Sequence, residues 1–150
     1  MRKRLKICVV SSIGGHLDEV MKIFPLIQEH EYFFVVNAEG PLPKAIRDKT
    51  VRVTHSERDW KLILNIYEAF KILCRSRPDV VISTGAGPAV PFSIAGKIFG
   101  AKILFIETFT AVSRPTLTGR IMYRIADKFI YQWETLRSFY PNGEYAGTIY

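Results

Sequence analysis

Short β-branched apolar runs, separated by stretches of helical periodicity, leave this chain few folds to choose from. Leu5–Val10, Tyr32–Val36, Asp79–Ser83 and Lys102–Ile106 are near-continuous apolar runs, the pattern of strands buried on both faces. Val51–Thr54 adds a short third strand and Lys128–Tyr131 a sixth. Between the first two runs, His16 to Gln28 places Leu17, Val20, Met21, Phe24 and Ile27 on one side of a helix, with Asp18 and Glu19 in its first turn, where they complement the helix dipole. Asp59 to Arg75, Ala89 to Phe99 and Gly119–Ala126 read as further helices, and "EGPLPKAIRDK" as a loop with one helical turn at most. Strands alternating with helices predict a parallel sheet covered on both sides. A chain of 150 residues supplies one core, not two. The expected fold is therefore α/β: a single doubly wound, Rossmann-like domain over residues 1–150 with a mostly parallel sheet.

A formal net charge of +7 points to an anionic partner: nucleic acid, a membrane face or a phosphorylated ligand. No helix-turn-helix signature, RNP-like aromatic strand or zinc-finger spacing accompanies it, so nucleic acid is not the expected partner. The basic opening "MRKRLKICVVSS" is too soon broken by serines and glycines for a signal peptide. The greasy tract Val90 to Ile106 is interrupted by Lys97 and Lys102, so no segment is expected to span a bilayer and any membrane contact would be peripheral. Cys8 and Cys74 lie far apart, without metal-ligand spacing, and read as reduced cytosolic thiols. His16, His30 and His55 form no ligand pattern. Neither metal nor cofactor is expected.

In open α/β sheets ligands sit beyond the carboxyl ends of the strands. The loops there are Ser12–His16, Asn37–Gly40, Thr84–Pro88 and Glu107–Pro115, all rich in glycine, hydroxyl or polar residues. In "VVSSIGGHLDEVMKI" a strand gives way to Gly14, Gly15 and then a helix. Such a junction lets backbone N–H groups approach an anion, or it is only a tight turn. The order Ser-Ser-Ile-Gly-Gly-His lacks the dinucleotide fingerprint, and Asn37 stands where a ribose-binding acid belongs, with Glu39 a weak substitute. His16 is either a cap-region residue or a base, for a helix N-terminus favours the neutral imidazole that accepts a proton. Glu107 is either an ordinary strand-end charge or a functional carboxylate, aimed at sugar hydroxyls or serving as an oriented base. Ser83, Thr84, Gly85 and Gly87 either make a turn or present hydroxyls and amides to a phosphate. Arg114, Arg120, Arg124 and Lys128 alternate with Ile121, Met122, Tyr123 and Ile125, a solvated face or a basic-and-apolar helix able to rest on an anionic bilayer. The helix "DWKLILNIYEAFKIL", with Trp60 near its open end, reads more simply as one packed on the sheet.

"SSIGGHLDE", "PDVVISTGAGPAVP", "FIETFTAVSRPTLTGRIMYRIADKFIYQW" and the ending "YPNGEYAGTIY" resemble the asparagine-linked glycosylation protein fourteen family and its bacterial capsule and exopolysaccharide counterparts. The likeness runs over essentially the whole chain. Eukaryotic members usually begin with a membrane-spanning helix that this sequence does not show, so the bacterial branch is the expected match. The resemblance implies the N-terminal half of a GT-B glycosyltransferase, similar to the acceptor half of the enzyme that adds N-acetylglucosamine to the peptidoglycan lipid precursor. It implies a subunit peripheral to the cytoplasmic face of the cell membrane that holds a polyprenyl-diphosphate-linked glycan. A separate companion, of the asparagine-linked glycosylation protein thirteen type, would bind the UDP-sugar. It sets the Gly14–Gly15–His16 junction against the acceptor diphosphate and its sugar; on the functional readings above, His16 and Glu107 are the expected catalytic residues, and Ser12, Gly14, Gly15, Ser83, Thr84, Gly85 and Gly87 are expected to bind the acceptor diphosphate. It sets Tyr145, Ile149 and Tyr150 in the companion's surface. A non-catalytic scaffold that recruits the true enzyme, and a free-standing nucleotide-sugar or dinucleotide enzyme, are the competing readings.

Overall fold

The computed structural model describes residues 3–37, 40–54 and 61–150. Its elements follow the expected alternation: β1 (Lys6–Ser11), α1 (Gly15–Ile27), β2 (Glu31–Val36), α2 (Lys44–Arg47), β3 (Thr50–Arg52), α3 (Lys61–Ser76), β4 (Val80–Ser83), α4 (Ala89–Ile98), β5 (Lys102–Ile106), α5 (Leu117–Ile125) and β6 (Lys128–Tyr131). Arg2, Glu39, His55, Asp59 and Trp60, which the sequence reading also used, lie outside the described residues. With a last strand, β7 (Glu144–Tyr145), the described residues form a seven-stranded sheet in the order β3-β2-β1-β4-β5-β6-β7, and every pairing is parallel. The sequence pattern predicts six strands. The seventh, β7, pairs Glu144 with Ile130 and Tyr145 with Tyr131. A two-residue exposed strand leaves no apolar run to read.

Alternation along each strand sorts the core into two layers. Ile7, Val9, Phe34, Val36 and Ile82 pack with Leu17, Val20, Phe24 and Ile27 of α1 and Ile46 of α2. Cys8, Val10, Val35, Val81, Ile103 and Phe105 point the other way, against Ala69 and Leu73 of α3, Phe92 and Ala95 of α4 and Met122 of α5. Both faces of the central strands are therefore dry, which explains why their sequences are continuously apolar. Each such side chain contributes on the order of 1.5–3 kcal/mol by leaving water. Burial also pushes the Cys8 thiol well above its ordinary range, as an inert core thiol requires.

Strands to the left of β1 are reached by helices on one face, those to the right of β4 by helices on the other. The order reverses between β1 and β4. That crevice is where a doubly wound sheet receives a ligand, and the loops after β1 and β4 flank it.

Candidate active site

His16 sits in the first turn of α1, and two hydrogen bonds fasten it across the switch point. Its ring Nδ1 lies 3.1 Å from the Thr84 carbonyl, and the Thr84 hydroxyl donates to the His16 carbonyl at 2.9 Å. A carbonyl only accepts, so Nδ1 carries a proton, and in the neutral ring the lone pair is on Nε2. The ring lies on Gly85: a Cβ there would stand 2.7 Å from His16 Cε1, and the Gly85 φ of +126° already favours glycine. The next residue, Ala86, also has a positive φ, 79°, an uncommon backbone state for a residue with a side chain.

Gly14 (φ 103°) and the exposed Gly15 open into empty space, and no side chain caps α1. Half-buried Ser12 and exposed Gly87 belong to the same rim. Ser83 does not: it is buried, donates to the Gly85 carbonyl at 3.1 Å and accepts from the Gly85 amide at 3.2 Å. It shapes the turn from within instead of offering its hydroxyl to solvent.

Glu107 likewise differs from the expected strand-end carboxylate facing the cleft. It is fully buried. Oε2 accepts from the Tyr140 hydroxyl at 2.5 Å and the Thr116 amide at 3.3 Å. Oε1 accepts from the Thr116 hydroxyl at 2.8 Å and the Thr108 amide at 3.2 Å. Thr116 is meanwhile the N-cap of α5, accepting from the Gly119 amide. Burial, and next the bond to Glu107, push the Tyr140 phenol up, well above its ordinary range. Gly119 is required here, because a Cβ at that position would lie 1.8 Å from Glu107 Oε2.

A second carboxylate, Glu19, which the sequence assigns only to complementing the helix dipole, is buried. The Thr108 hydroxyl (2.6 Å) and the Phe109 amide (3.2 Å) donate to its Oε1, and Gln132 Nε2 (3.3 Å) to its Oε2. Gln132 Nε2 also donates to the Glu107 carbonyl at 3.0 Å, joining the two systems. Helical periodicity alone carried a signal for Glu19: it adjoins Val20 on the buried side while Asp18 is exposed. Tyr140, Thr116 and Gln132 gave no comparable signal, since their partners are distant in sequence.

The remaining expected residues fall in two places. Arg114, Arg120 and Arg124 are exposed, and Arg120 and Arg124 line a groove of about 730 Å³ with Leu117, Ile121 and Phe139. Lys128 is not a free anion-facing cation; it pairs with Glu144 on β7. Parallel pairing of β6 and β7 brings the two side chains together at the sheet edge. The tail Tyr145–Tyr150 is docked on its own domain. Tyr145 lies on Tyr131, the Ile149 amide donates to Gln132 Oε1 at 3.0 Å, and Tyr150 packs on Phe109 with Lys22 over its ring. Tyr145 and Tyr150 nevertheless keep 42 % and 57 % of their surface open. α3 packs on the sheet through Ala69 and Leu73, as its sequence predicts, but it also exposes Ile63, Leu64, Ile66 and Tyr67. No helix of the described residues is long and apolar enough to cross a membrane, and they hold no group of three or more His, Cys, Asp or Glu able to hold a metal.

Residues 41–149 match the family Alg14, described as "Oligosaccharide biosynthesis protein Alg14 like". The chain belongs to the Alg14 family. Proteins named UDP-N-acetylglucosamine transferase subunit ALG14 are among its relatives. That of Saccharomyces cerevisiae is 38 % identical over 99 % of this chain and 78 % of its own length. That of Rattus norvegicus is 22 % identical over 99 % and 84 %. In fold, this Alg14-family chain is similar to Acinetobacter baumannii MurG (TM-score 0.77, 14 % identity, 96 % of this chain and 45 % of that one). It is equally similar to a UDP-N-acetylglucosamine 2-epimerase of Rickettsia bellii (TM-score 0.77, 14 % identity, 98 % and 46 %). The chain thus spans about half the length of these two solved structures, and has the fold of one half of a GT-B molecule.

Proposed function

We propose that this protein is the acceptor-binding subunit of a two-component glycosyltransferase. It holds a polyprenyl-diphosphate-linked glycan at the cytoplasmic face of a membrane while a donor-binding companion of the Alg13 type brings a UDP-sugar. The observation that carries the proposal is the rim at the β1–β4 switch point: an uncapped α1, the open Gly14–Gly15 backbone, and a histidine with its Nε2 left free. One half of a GT-B fold supplies only one wall of a cleft, and the relatives' printed name, a transferase subunit, agrees with a second wall on another chain. The bacterial capsule or exopolysaccharide setting rests on the sequence resemblance alone.

In this reading the loop amides after β1 and that of Gly87 face the acceptor diphosphate, while the Gly85 amide stays with Ser83 inside the turn. His16 Nε2 takes the proton of the acceptor hydroxyl as its oxygen bonds to the donor's anomeric carbon and the UDP oxygen leaves. Thr84 fixes the tautomer that makes this possible. Glu107 serves by holding the start of α5 and the loop before it, not by touching sugar. Arg114, Arg120 and Arg124 face the anionic membrane, and the open faces of Tyr145 and Tyr150, with Ile149, meet the companion.

The test is His16→Ala in the assembled transferase. General-base loss should lower kcat by roughly 10²–10⁴-fold, with companion binding unchanged. Near-normal turnover would end the assignment of His16.

A further inference from the structure

Three groups converge on Glu19, and all of them donate: the Thr108 hydroxyl, the Phe109 amide and Gln132 Nε2. The orientation of the Gln132 amide is fixed by its surroundings. Its Nε2 faces two acceptors, Glu19 Oε2 and the Glu107 carbonyl, and its Oε1 faces one donor, the Ile149 amide. Turning the amide over would set like against like at all three contacts. Gln132 is 1 % exposed and Glu19 2 %, so water cannot repair a mismatch. Glu19 also lies three residues after His16 on α1. The Glu19 carboxylate, together with the Glu107 carbonyl, thereby sets the orientation of Gln132 and with it the partner of the Ile149 amide.

We propose that Glu19 is a positioning residue. It ties the His16-bearing helix to the ends of β5 and β6, and through Gln132 it holds the tail Ile149–Tyr150 across the carboxyl edge of the sheet. Tyr150 reinforces the link by packing on Phe109, whose amide is bound to Glu19, and under Lys22 of the same helix. Glu19→Gln keeps the shape and removes one acceptor. If its remaining oxygen serves Thr108 and Phe109, its amide nitrogen meets Gln132 Nε2. If Gln132 turns over to meet it, the Ile149 amide faces a donor and the Glu107 carbonyl faces an oxygen.

Amide hydrogen exchange on the isolated chain reads this directly. The Ile149 amide should be protected in the native protein and lose at least about tenfold of its protection in Glu19→Gln, while Val9 and Val81 in the central strands keep theirs. Gln132→Glu alone should lose it too, since two carboxylates then face each other. The double variant Glu19→Gln with Gln132→Glu pairs an amide with a carboxylate again at the Glu19 contact, while the Glu107 carbonyl still faces an oxygen, so it should restore protection in part, a rescue that a merely space-filling role would not produce. An unprotected Ile149 in the native chain, full protection in Glu19→Gln, loss of Val9 and Val81 protection along with it, or a double variant no better than the singles each overturns the proposal. The consequence for His16 rests on the function proposed above: in the assembled transferase Glu19→Gln lowers kcat with KM held, and the double variant recovers part of it. A silent native transferase would refute that function without touching the exchange result.

Discussion

Gly119→Ala tests whether the Glu107 hub holds the carboxyl edge together. An alanine Cβ would stand 1.8 Å from Glu107 Oε2, 2.6 Å from its Cδ and 2.6 Å from the Tyr140 hydroxyl. Contacts under 3 Å cannot persist, so either the carboxylate turns away or α5 shifts. The carboxylate then gives up its Oε2 bonds to Tyr140 and the Thr116 amide. Bonds to charged groups contribute roughly 1.5–3 kcal/mol each, so the loss is on the order of 3–6 kcal/mol. Replacing a helical glycine by alanine returns about 1 kcal/mol, leaving a net cost of roughly 2–5 kcal/mol. Native stability is only about 5–15 kcal/mol. A chain of this size should therefore melt roughly 4–20 °C lower, and urea titration should show a lower midpoint at unchanged slope. A variant as stable as the parent, or more so, would refute the account of Gly119 and of the hub.

Other consequences are equally open to measurement. Gly85→Ala should displace the His16 ring and lower transfer in the assembled enzyme by at least about tenfold while the domain stays folded; normal transfer would remove Gly85 from the site. Because the Tyr140 phenol is pushed up in the folded state, the unfolded chain gives up that proton first, near pH ~10. The stability this group contributes is full below that pH and falls as pH rises above it. Tyr140→Phe should therefore flatten the alkaline decline while lowering stability at neutral pH, and an unchanged alkaline slope would contradict the burial argument. Exposed Arg114, Arg120 and Arg124 should give salt-sensitive binding to anionic vesicles, about 1 kcal/mol per charge near the surface; binding to neutral vesicles that is as strong and indifferent to salt would argue for the apolar face of α3 instead.

What could be read from the sequence follows from how local each signal is. β1, β2, β4 and β5 are buried on both faces, so burial wrote itself into continuous apolar runs. The junction after β1 was legible because its glycines and His16 are adjacent in sequence. The locking partner of His16, the Thr84 carbonyl, is backbone and leaves no mark on residue type. Glu107 and Glu19 show the limit most clearly. A carboxylate at a strand end and one in a first helical turn both look like surface charges, and only tertiary contact turns them inward to Tyr140, Thr108 and Gln132. β7 and the docked tail are held by pairing and aromatic contacts with no periodicity of their own.

The central claim is that catalysis needs this chain and a second one. Transfer of sugar from a UDP-sugar to a polyprenyl-diphosphate-linked glycan should be measured with the purified chain alone, with its companion alone and with the two mixed. A lone domain leaves half the cleft open to water and brings no donor site, so the account predicts turnover only in the mixture. Sustained transfer by the isolated chain, or no transfer by the assembled pair, would contradict it.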